Sequence, residues 1–451
     1  MDTKQIQKLI AGDSGRRAKI AEQKKYAGGY NVAILGRRAH EEPDARVPIP
    51  IARKGIRLTS GYMVKPGSIV CSSDPDTYVA EVLQPIFDVN DEQLTTQELF
   101  ETALTHGQAW EYHYTKDNEA RFVEVPTEQC IPVWSDDLPP KLIGMIRHYC
   151  EMEDDGTEEM QVYFYDSATM TKWKGKAGAD LVLAEPDEGQ TNPMPHGYGE
   201  VPFAQYKVAR DCSNLFDCII PLIDIHDRII SEDFANEAQR FAASYLLLRN
   251  KLDSTKDPDT GETELDKLKR TRTFEDLGEN VTQAVAFLTK DLPAEFIKTT
   301  ADTFERLIYD MMQIINPNDI AATGTISGIA LAYKLLQFEY FCASCEAYFS
   351  RGLQWRIRLI QNVTGNMSAK PQDRPQVDIK FRRNLPFDMA IAVDQFVKVY
   401  GMLPDDVALK LFPADFIPDP KEVLDKMEEE KARKEKMNLD NAIPDEIEGS
   451  N

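Results

Sequence analysis

The spacing of apolar residues changes along the chain, and in the second half it is helical. From Ser327 to about Val363, apolar side chains recur at intervals of three and four residues, the period of one helix face. At 1.5 Å per residue this helix would be about 55 Å long. A second helical stripe runs from Pro293 to Ile315, so the pattern predicts two rigid helices with a short interruption between them. The positions that define the long stripe are Leu331, Leu335, Phe338, Cys342, Cys345 and Phe349.

The interruption, Asn316 to Ile326, is rich in Gly, Thr and Ala. Pro317 disfavours the α conformation at Asn316, so the first helix is expected to stop there. Ser327 is a natural N-cap, and Gly328 allows tight chain geometry beside it, which together predict a helix cap and hinge. A loop between two rigid helices exposes its backbone to any molecule that passes beside it.

The first half of the chain has a different pattern. Residues 107–206 alternate apolar and polar positions, as in the segment WEYHY, and turn dipeptides separate the runs. This alternation predicts an antiparallel sheet. Gly- and Pro-rich residues 186–202 are expected to form a connector. Before the sheet, helices are predicted over 1–35 and 76–106, and short β-type runs over 43–72.

The remaining segments are mostly helical, so the fold class is predicted to be α+β. Residues 213–249 are expected to form a helix interrupted near Pro221, followed by a polar loop, a short basic helix and strand-like residues 281–288. The last fifteen residues are polar and are expected to be disordered. A return strand is predicted at 377–381, and helices at 388–401, 404–412 and 420–436.

This order of elements predicts a stalk, because two helices flank a small β-containing insertion. A stalk from one chain would expose much apolar surface, so neighbouring copies are expected to cover it in an oligomer. The alternative is a long helix that packs against the body of its own chain.

The charge is strongly acidic and uneven. Lys and Arg total 52 against 75 Asp and Glu, a formal charge of −23. Residues 1–57 carry 13 basic and 6 acidic side chains, or +7, which leaves −30 on the remainder. Because DNA affinity comes largely from phosphate neutralisation, this balance argues against a tight DNA binder but allows a protein past which DNA slides. No apolar run approaches the roughly 20 residues of a membrane span, and no signal-peptide core is evident, so we expect a soluble intracellular protein.

Catalytic and metal-binding motifs are not evident. The segment GTISG lacks the GK[ST] of a phosphate-binding loop, and neither GxSxG nor HExxH occurs. Cys342 and Cys345 have the spacing of a zinc pair, but no second pair exists and both fall on the apolar stripe, which favours core packing. His113 and His148 lie in predicted strands, where surface or sheet packing explains them. The sequence therefore predicts no catalytic residue, no metal and no cofactor.

Several segments, in the same order over most of the chain, resemble portal proteins of tailed bacteriophages, most closely those of the siphophage type. PIPIARK and SGIAL are the most distinctive parts, whereas the extreme amino terminus and the tail after about Pro418 match weakly. The segments are PDARVPIPIARKGIRLTSGYMVKPG, HGQAWEYHYTKDNEARFVEVPTEQCIPVWSDD, IGMIRHY, PLIDIHDRIISEDFANEAQRFAASYLLL and ATGTISGIALAYKLL.

The resemblance implies a non-enzymatic homo-oligomeric ring, usually of twelve subunits, at one vertex of the capsid, through which double-stranded DNA enters and leaves without sequence specificity. A clip would meet the packaging motor (the terminase large subunit) and later a head-completion or adaptor protein. A wing would contact the major capsid and scaffolding proteins. The protein would reside in the virion, after assembly in the host cytoplasm, with no membrane partner.

The resemblance also assigns parts of this sequence to parts of a portal subunit. The implied ranges are 1–212 for the wing, 213–249 for the first stem helical segment, 250–292 for a small α/β clip, 293–315 for the second stem helix, 316–326 for the tunnel loop, 327–387 for the long kinked helix with a return wing strand, and 388–451 for crown helices with a disordered acidic tail.

Candidate contacts follow from the same resemblance. Small neutral side chains in the tunnel loop could touch DNA without locking to it, and an acidic channel would repel phosphates within a screening length of about 8–10 Å. Asp319 would add repulsion. The alternative is that the loop only terminates a helix. The expected DNA-facing residues are Asn316, Asn318, Asp319, Thr323, Gly324 and Thr325.

Two basic clusters are candidate docking surfaces. The clip cluster is expected to bind an acidic surface of a motor or adaptor, with a solvated helix face as the alternative. The amino-terminal cluster is expected to pair with acidic neighbours in the ring or with the capsid, or only to aid solubility. The clip cluster is Lys267, Lys269, Arg270 and Arg272, and the amino-terminal cluster is Arg16, Arg17, Lys19, Lys24 and Lys25.

Two other classes of function compete with this interpretation. One is an oligomeric structural adaptor or scaffold of a virus particle that has no DNA channel. The other is a nucleotide-dependent enzyme, which the missing phosphate and metal motifs disfavour.

Overall fold

A computed structural model of the chain divides into two units, Met1–Arg383 and Asn384–Asn451. The described residues of the second unit are all helical. At those positions the structure agrees with the helices predicted after residue 388. The structure describes residues 1–36, 44–74, 77–152, 156, 158–176, 180–186, 191–236, 238, 245–248, 261, 263, 285–288, 294–316, 328–365, 374–383, 398, 409, 423–426, 429 and 433.

Helices open the first unit, as the spacing of Ile6, Ile10 and Ile20 predicts. Ile6 and Ile20 are buried, and they turn one face of the first two helices towards the body. Later in the chain a π-helical turn, Val79–Leu83, runs directly into the next helix and confirms the helical prediction for 76–106 at the described residues. These helices are α1 (Thr3–Gly12), α2 (Ser14–Ala27), α3 (Val32–Leu35), α5 (Gln84–Val89) and α6 (Glu92–His106).

Helix α4, Ile51–Met63, occupies a range for which β-type runs were predicted, and that prediction was wrong. The helix buries positions 52, 55, 56, 59, 60 and 63, which follow the helical period. Three of them are Gly55, Thr59 and Ser60, which a count of apolar residues overlooks. A strand, β1 (Ile69–Asp74), appears only after this helix ends.

The region of alternating residues forms antiparallel sheets, as predicted. A three-stranded sheet has the order β10-β2-β3, and a larger one has the order β4-β5-β6-β7-β8 with β9 paired to β7. The strands are β2 (Gln108–Lys116), β3 (Glu119–Val125), β4 (Cys130–Trp134), β5 (Leu142–Met152), β6 (Glu158–Tyr165), β7 (Thr169–Gly175), β8 (Val182–Leu183), β9 (Met194–Pro195) and β10 (Phe203–Lys207).

The predicted helix over 213–249 is only partly confirmed. A 3-10 turn, Asp217–Ile219, leads into α7 (Ile220–Arg228), which continues as a π-helix to Asn236. Residues Tyr245–Leu248 are instead a strand, β11, and pair antiparallel with β12 (Val285–Leu288). The run YLLL has no helical period of its own, and a short apolar run of this kind suits a strand as well as a helix.

The two long helices and the return strand complete the first unit. They are α8 (Ala294–Met312), α9 (Gly328–Thr364) and β13 (Gln376–Phe381). Strand β13 pairs antiparallel with β1, with Phe381 opposite Ile69, so the chain after α9 returns to its amino-terminal part. The strand predicted at 377–381 is confirmed. Helix α9 has 37 residues, in agreement with the predicted long helix.

From Phe338 onward, α9 packs against the body of its own chain. Its stripe of Phe338, Cys342, Cys345 and Phe349 is buried, and the Phe349 ring lies edge-on to Phe100 of α6 with centroids 5.0 Å apart. The core packing predicted for the two cysteines is therefore confirmed. No helix in the described ranges is both long and apolar enough to cross a membrane.

Candidate functional site

The candidate site is the pair of helix ends that flank residues 317–327. Helix α8 ends at Met312, because Gln313 adopts a left-handed conformation with φ of 60°. The Gln313 N–H donates to the Asp310 carbonyl and the Ile314 N–H to the Tyr309 carbonyl, each at 3.1 Å. This is a Schellman turn, which normally has Gly at the left-handed position. The helix was predicted to run to Ile315, before the break at Asn316-Pro317, and it ends three residues earlier.

The residues of this turn are fixed in the main core. Met312 and Ile314 are both buried and pack on Gly55 of α4. A Cβ at Gly55 would lie 3.0 Å from Met312 Sδ and 3.3 Å from Ile314 Cδ1, so glycine permits this close approach. The Lys54 Nζ lies 5.3 Å from the centre of the Tyr309 ring. Lys54, the last residue of the PIPIARK segment, and Gly55, the residue after it, thus form the support on which the chain leaves α8.

One stripe along the exposed side of α8 is apolar, beside a stripe of exposed charged residues. Three threonines on this helix donate their hydroxyl hydrogens to the carbonyl four residues earlier, each at 2.7 Å, so their hydrogen-bonding capacity is used within the helix. Large apolar side chains on the same helix remain exposed, including Met311 at 56% of its surface. The threonines are Thr299, Thr300 and Thr303, and the exposed apolar residues are Phe296, Leu307 and Met311.

The long helix α9 has a second exposed stripe on the side opposite its core stripe. Tyr333, Leu336 and Tyr340 are exposed and follow the spacing of one helix face. Between these positions and the body, Glu339 accepts a hydrogen bond from the Tyr62 hydroxyl and pairs with Arg383. The Glu339 carboxylate is thus bonded to Tyr62 and Arg383 on the side towards the body. The exposed stripe of Tyr333, Leu336 and Tyr340 is mainly apolar.

A buried ion network holds the carboxyl-terminal half of α9 on the three-stranded sheet. Arg356 and Glu111 are both fully buried, with Arg356 Nη2 at 2.7 Å from Glu111 Oε1. Arg356 Nη1 lies 2.7 Å from Glu92 Oε1, and the Tyr206 hydroxyl donates to Glu111 Oε2 at 2.8 Å. His113 Nε2 lies 3.1 Å from Glu111 Oε2. This network joins α9 to α6, β2 and β10.

Electrostatic interactions within this network stabilise the charged forms of Glu111 and Arg356. Although burial alone would raise the pKa of Glu111, the Arg356 guanidinium and the His113 hydrogen bond lower it from 4.5 to about 2. The carboxylates of Glu111 and Glu92 raise the pKa of Arg356. Helix α9 is therefore held on the sheet by the buried ion pair of Arg356 with Glu111. At 1.5 Å per residue, Arg356 lies about 42 Å along the helix from its first residue, Gly328.

Sequence reasoning missed this network. The alternation around Trp110 and Tyr112 places Glu111 and His113 on the other face of β2 but does not indicate what covers that face; α9 covers it, and both residues are buried. No local signal links Glu111 to Arg356, which lies 245 residues later. Of the two roles predicted for His113 and His148, surface or sheet packing, the structure supports sheet packing, since both are buried in strands.

Most of the predicted site residues fall outside the described part of the chain. Asn316 is half-buried just after the turn that ends α8, and Gly328 is the first residue of α9. The tunnel-loop residues Asn318, Asp319, Thr323, Gly324 and Thr325, the cap Ser327 and the clip residues Lys267, Lys269, Arg270 and Arg272 all lie outside the described ranges.

Part of the amino-terminal basic cluster is paired within the chain. Arg16 donates to Asp13 and to the Cys130 carbonyl at 2.8 Å, and Lys19 Nζ lies 2.7 Å from Asp217 Oδ2. Lys24 pairs with Glu128. These side chains thus join the first helices to the sheets and to the start of α7. Within the described residues, no group of three or more His, Cys, Asp or Glu is arranged to hold a metal ion.

Comparison with known proteins identifies related sequences over nearly the whole chain. The family model for SPP1 Gp6-like phage portal proteins matches residues 5–437. The chain is also 22% identical over 436 residues to the portal protein of Clostridium phage phiCD119, covering 92% of this chain and 93% of that protein.

Proposed function

The chain belongs to the family of SPP1 Gp6-like phage portal proteins, and on that basis we propose that it forms a ring at one capsid vertex through which double-stranded DNA passes. The ring would act during packaging and ejection, and twelve copies is the number that the family resemblance implies. The observation that carries this proposal is the match over residues 5–437, which includes both long helices and the segment between them.

The outward face of α8 supports contact between copies. Phe296, Leu307 and Met311 are exposed, and three threonine hydroxyls on this helix are engaged with its own backbone. Burying an apolar stripe of this kind is favourable by about 25 cal/mol per Å² of apolar surface removed from water. Within one chain this face has solvent beside it, and a neighbouring copy in a ring would cover it.

The charge of α8 suits a channel that does not retain DNA. Helix α8 has four acidic and two basic side chains, and the whole chain has a formal charge of −23. Phosphates close to such a wall would be repelled rather than bound, because neutralisation needs basic side chains.

We also propose contacts for three parts of the chain: the segment before α9, the clip and the wing. We place DNA contact at Asn316, Asn318, Thr323 and Thr325, with Asp319 adding repulsion, because this segment follows the fixed turn at Gln313–Ile314. The clip cluster around Lys267 and Arg270 would dock the packaging motor and later a head-completion protein. The wing would contact capsid and scaffolding proteins, in the virion and during assembly in the host cytoplasm.

Substitution on the outward face of α8 tests the ring. Met311→Asp should place a charge in the contact between copies and shift the native mass from that of a ring, about 613 kDa for twelve copies of 51.1 kDa, to smaller species. Met152→Asp is the matched control, since Met152 lies in β5 and is 70% exposed compared with 56% for Met311. A ring that persists unchanged in Met311→Asp would exclude this face as the contact.

Substitution in the segment before α9 tests DNA contact. Thr323→Trp should slow DNA packaging by narrowing the passage, whereas Thr323→Ser should leave the rate unchanged. Native mass and electron microscopy of both variants would establish that the rings form normally. Wild-type packaging and DNA retention by Thr323→Trp rings would rule out contact at this position.

A further inference from the structure

One edge of the small sheet formed by β1 and β13 has no strand beside it. Within the described ranges, β1 pairs with β13 and with no other strand. The Arg382 N–H donates to the Ser68 carbonyl at 2.7 Å, which makes these two residues a hydrogen-bonded pair at the start of the ladder. Hydrogen-bonded and non-hydrogen-bonded pairs alternate along antiparallel strands, so Ile69 and Cys71 are in non-hydrogen-bonded pairs. Their N–H and C=O groups therefore point away from β13, to the open edge.

A surface groove of about 590 Å³ runs along this edge. Ile69, Val70 and Cys71 line it in succession. Because neighbouring strand residues point to opposite faces of a sheet, it is the edge of β1, and not one face, that borders the groove. All three residues are half-buried, so the edge remains accessible to solvent. The opposite wall is formed by α5 and the start of α6, where Leu94 exposes 56% of its surface.

The backbone groups that point into the groove have no partner. Among the described residues, no hydrogen bond is made by the N–H or C=O of Ile69 or Cys71. Further along β1 the edge is covered, since the Val79 N–H donates to the Ser73 hydroxyl at 3.3 Å. Two N–H and two C=O groups are thus available at the groove. A row of unpaired backbone groups is a template on which an extended chain can add a strand.

The charged side chains that line the groove are all acidic. They are Asp88, Asp91 and Glu92, and no lining residue is Lys, Arg or His. Arg356 compensates Glu92 at 2.7 Å, whereas Asp88 and Asp91 pair with no cation in the part of the chain that the structure describes. Helix α5 ends and α6 begins beside the groove, so the partial charges of these two helix ends oppose each other. Lys65 precedes the first lining residue, and the balance stays negative when its charge is included.

We propose that this groove binds an extended basic segment of a partner protein, which adds to the edge of β1 as a third strand of the sheet. The main chain of the segment would exchange hydrogen bonds with Ile69 and Cys71. Its Lys or Arg side chains would pair with Asp88 and Asp91, and an apolar side chain would pack on Leu94. In strand addition the main-chain bonds provide affinity, and the alternating side chains provide specificity. The groove is built within one chain, so this binding does not depend on ring formation.

Two other occupants fit less well. A nucleic acid would bring its phosphates towards two uncompensated carboxylates, and phosphate binding needs basic side chains. A second copy of this chain has a formal charge of −30 after residue 57, so most of its strands would bring charge of the same sign. A basic segment is attracted to the groove, and the unpaired backbone fixes where on the acidic surface it binds.

Substitution of Cys71 tests the role of the strand edge. Cys71→Pro removes an N–H that the added strand would use. Proline is tolerated in an edge strand where its nitrogen faces solvent, and the bonds to β13 are made by the neighbouring residues, so the variant is expected to fold. Cys71→Ala is the matched control, because it also removes the thiol but keeps the N–H. Urea unfolding followed by circular dichroism compares the stabilities of the two variants.

Selection from a random library of twelve-residue peptides displayed on yeast identifies a ligand for these variants. Full-length Cys71→Ala should enrich peptides in which Lys or Arg alternates with apolar residues. A synthetic peptide from the selection should bind Cys71→Pro at least about tenfold more weakly than Cys71→Ala, a difference of about 1.4 kcal/mol. Enrichment of acidic peptides, or no enrichment, would overturn the proposal. Equal binding to the two variants would exclude the strand edge.

The two carboxylates are tested by removing their charges together. Asp88→Asn with Asp91→Asn should weaken binding of the same peptide about tenfold at low salt and reduce its salt dependence. Asn tolerates the left-handed conformation that residue 91 adopts, with φ of 47°. The matched control is Glu151→Gln with Glu158→Gln, which removes two exposed charges from the larger sheet and should leave binding unchanged. Equal effects of the two double variants would rule out pairing at the groove.

Hydrogen exchange measured by mass spectrometry at single-residue resolution detects the added strand directly. The amides of Ile69 and Cys71 should exchange rapidly in the free protein and slowly in the peptide complex. The amides of Val70 and Ser72, which point to β13, should be protected in both states. Peptide binding without protection of Ile69 and Cys71 would refute strand addition, whether or not Cys71→Pro folds. Binding to dissociated Met311→Asp chains but never to rings would assign the edge to a neighbouring copy.

Discussion

Removing the charge of Glu111 is the sharpest test of how the long helix is held. Glu111→Gln keeps the size of the side chain and some hydrogen bonds but leaves the fully buried Arg356 with only Glu92 as a charged partner. Breaking a buried ion pair by removing one partner typically costs about 3–5 kcal/mol, because the remaining charge is uncompensated. We therefore expect the free energy of unfolding to fall by about that amount.

The lowered pKa of Glu111 points in the same direction and to the same order of magnitude. A decrease from 4.5 to about 2 corresponds to about 3 kcal/mol at 1.36 kcal/mol per pKa unit. The folded-state pKa is lowered, so this stabilisation is present above pH 4.5 and is lost as the pH falls towards about 2. The difference in stability between wild type and Glu111→Gln should therefore narrow across that pH range.

Urea unfolding followed by circular dichroism, at one fixed protein concentration, measures these differences. The matched control is Glu200→Gln, which breaks the half-exposed pair with Arg358 on the same helix and should cost at most about 1 kcal/mol. Adding Arg356→Met to Glu111→Gln should recover part of the loss, since it removes the unpaired charge. Equal stabilities of Glu111→Gln and Glu200→Gln would refute the reasoning.

Two further predictions concern packing around the same helix. Gly352→Ala should destabilise the protein by about 1–3 kcal/mol, because its Cβ would lie 2.5 Å from the Tyr206 ring. The control Gly61→Ala has open space at its Cβ and should be neutral or stabilising. Equal unfolding midpoints of the two variants would contradict the predicted clash. Burial raises the pKa of the Cys345 thiol to about 12. An alkylating reagent at pH 8 should therefore label the exposed Cys150 and leave Cys345 unmodified in the native protein. Mass spectrometry of peptides measures the labelling, and alkylated Cys345 in the native protein would contradict the prediction.

Elements with a clear period were predictable, and the failures have physical causes. The long helix α9 and the strands of the sheets follow the periods of 3.6 and 2 that burial imposes on one face. Helix α4 was missed because small residues such as Gly55 form its buried face. Helix α8 ends before Asn316 because Gln313 takes a left-handed conformation that no local residue type indicates.

The candidate site was less predictable than the fold, because its contacts are distant in the chain. The turn at Met312 and Ile314 depends on a glycine in α4, and the side of β2 that carries Glu111 is buried by a helix that comes much later. Periodicity within one element reports which residues share a face. It does not report which other element covers that face.

The long separation between Glu111 and Arg356 has a consequence for how the chain folds as it is synthesised. The two residues are 245 positions apart, and at 5–20 residues per second a ribosome needs roughly 12–50 s to add the intervening chain. During that time the Glu111 carboxylate has no guanidinium beside it, and burial of an unpaired charge is strongly unfavourable. We therefore expect the nascent β2 to keep this face in contact with water until α9 emerges, so that one of the first sheets to be synthesised is among the last parts to complete its core.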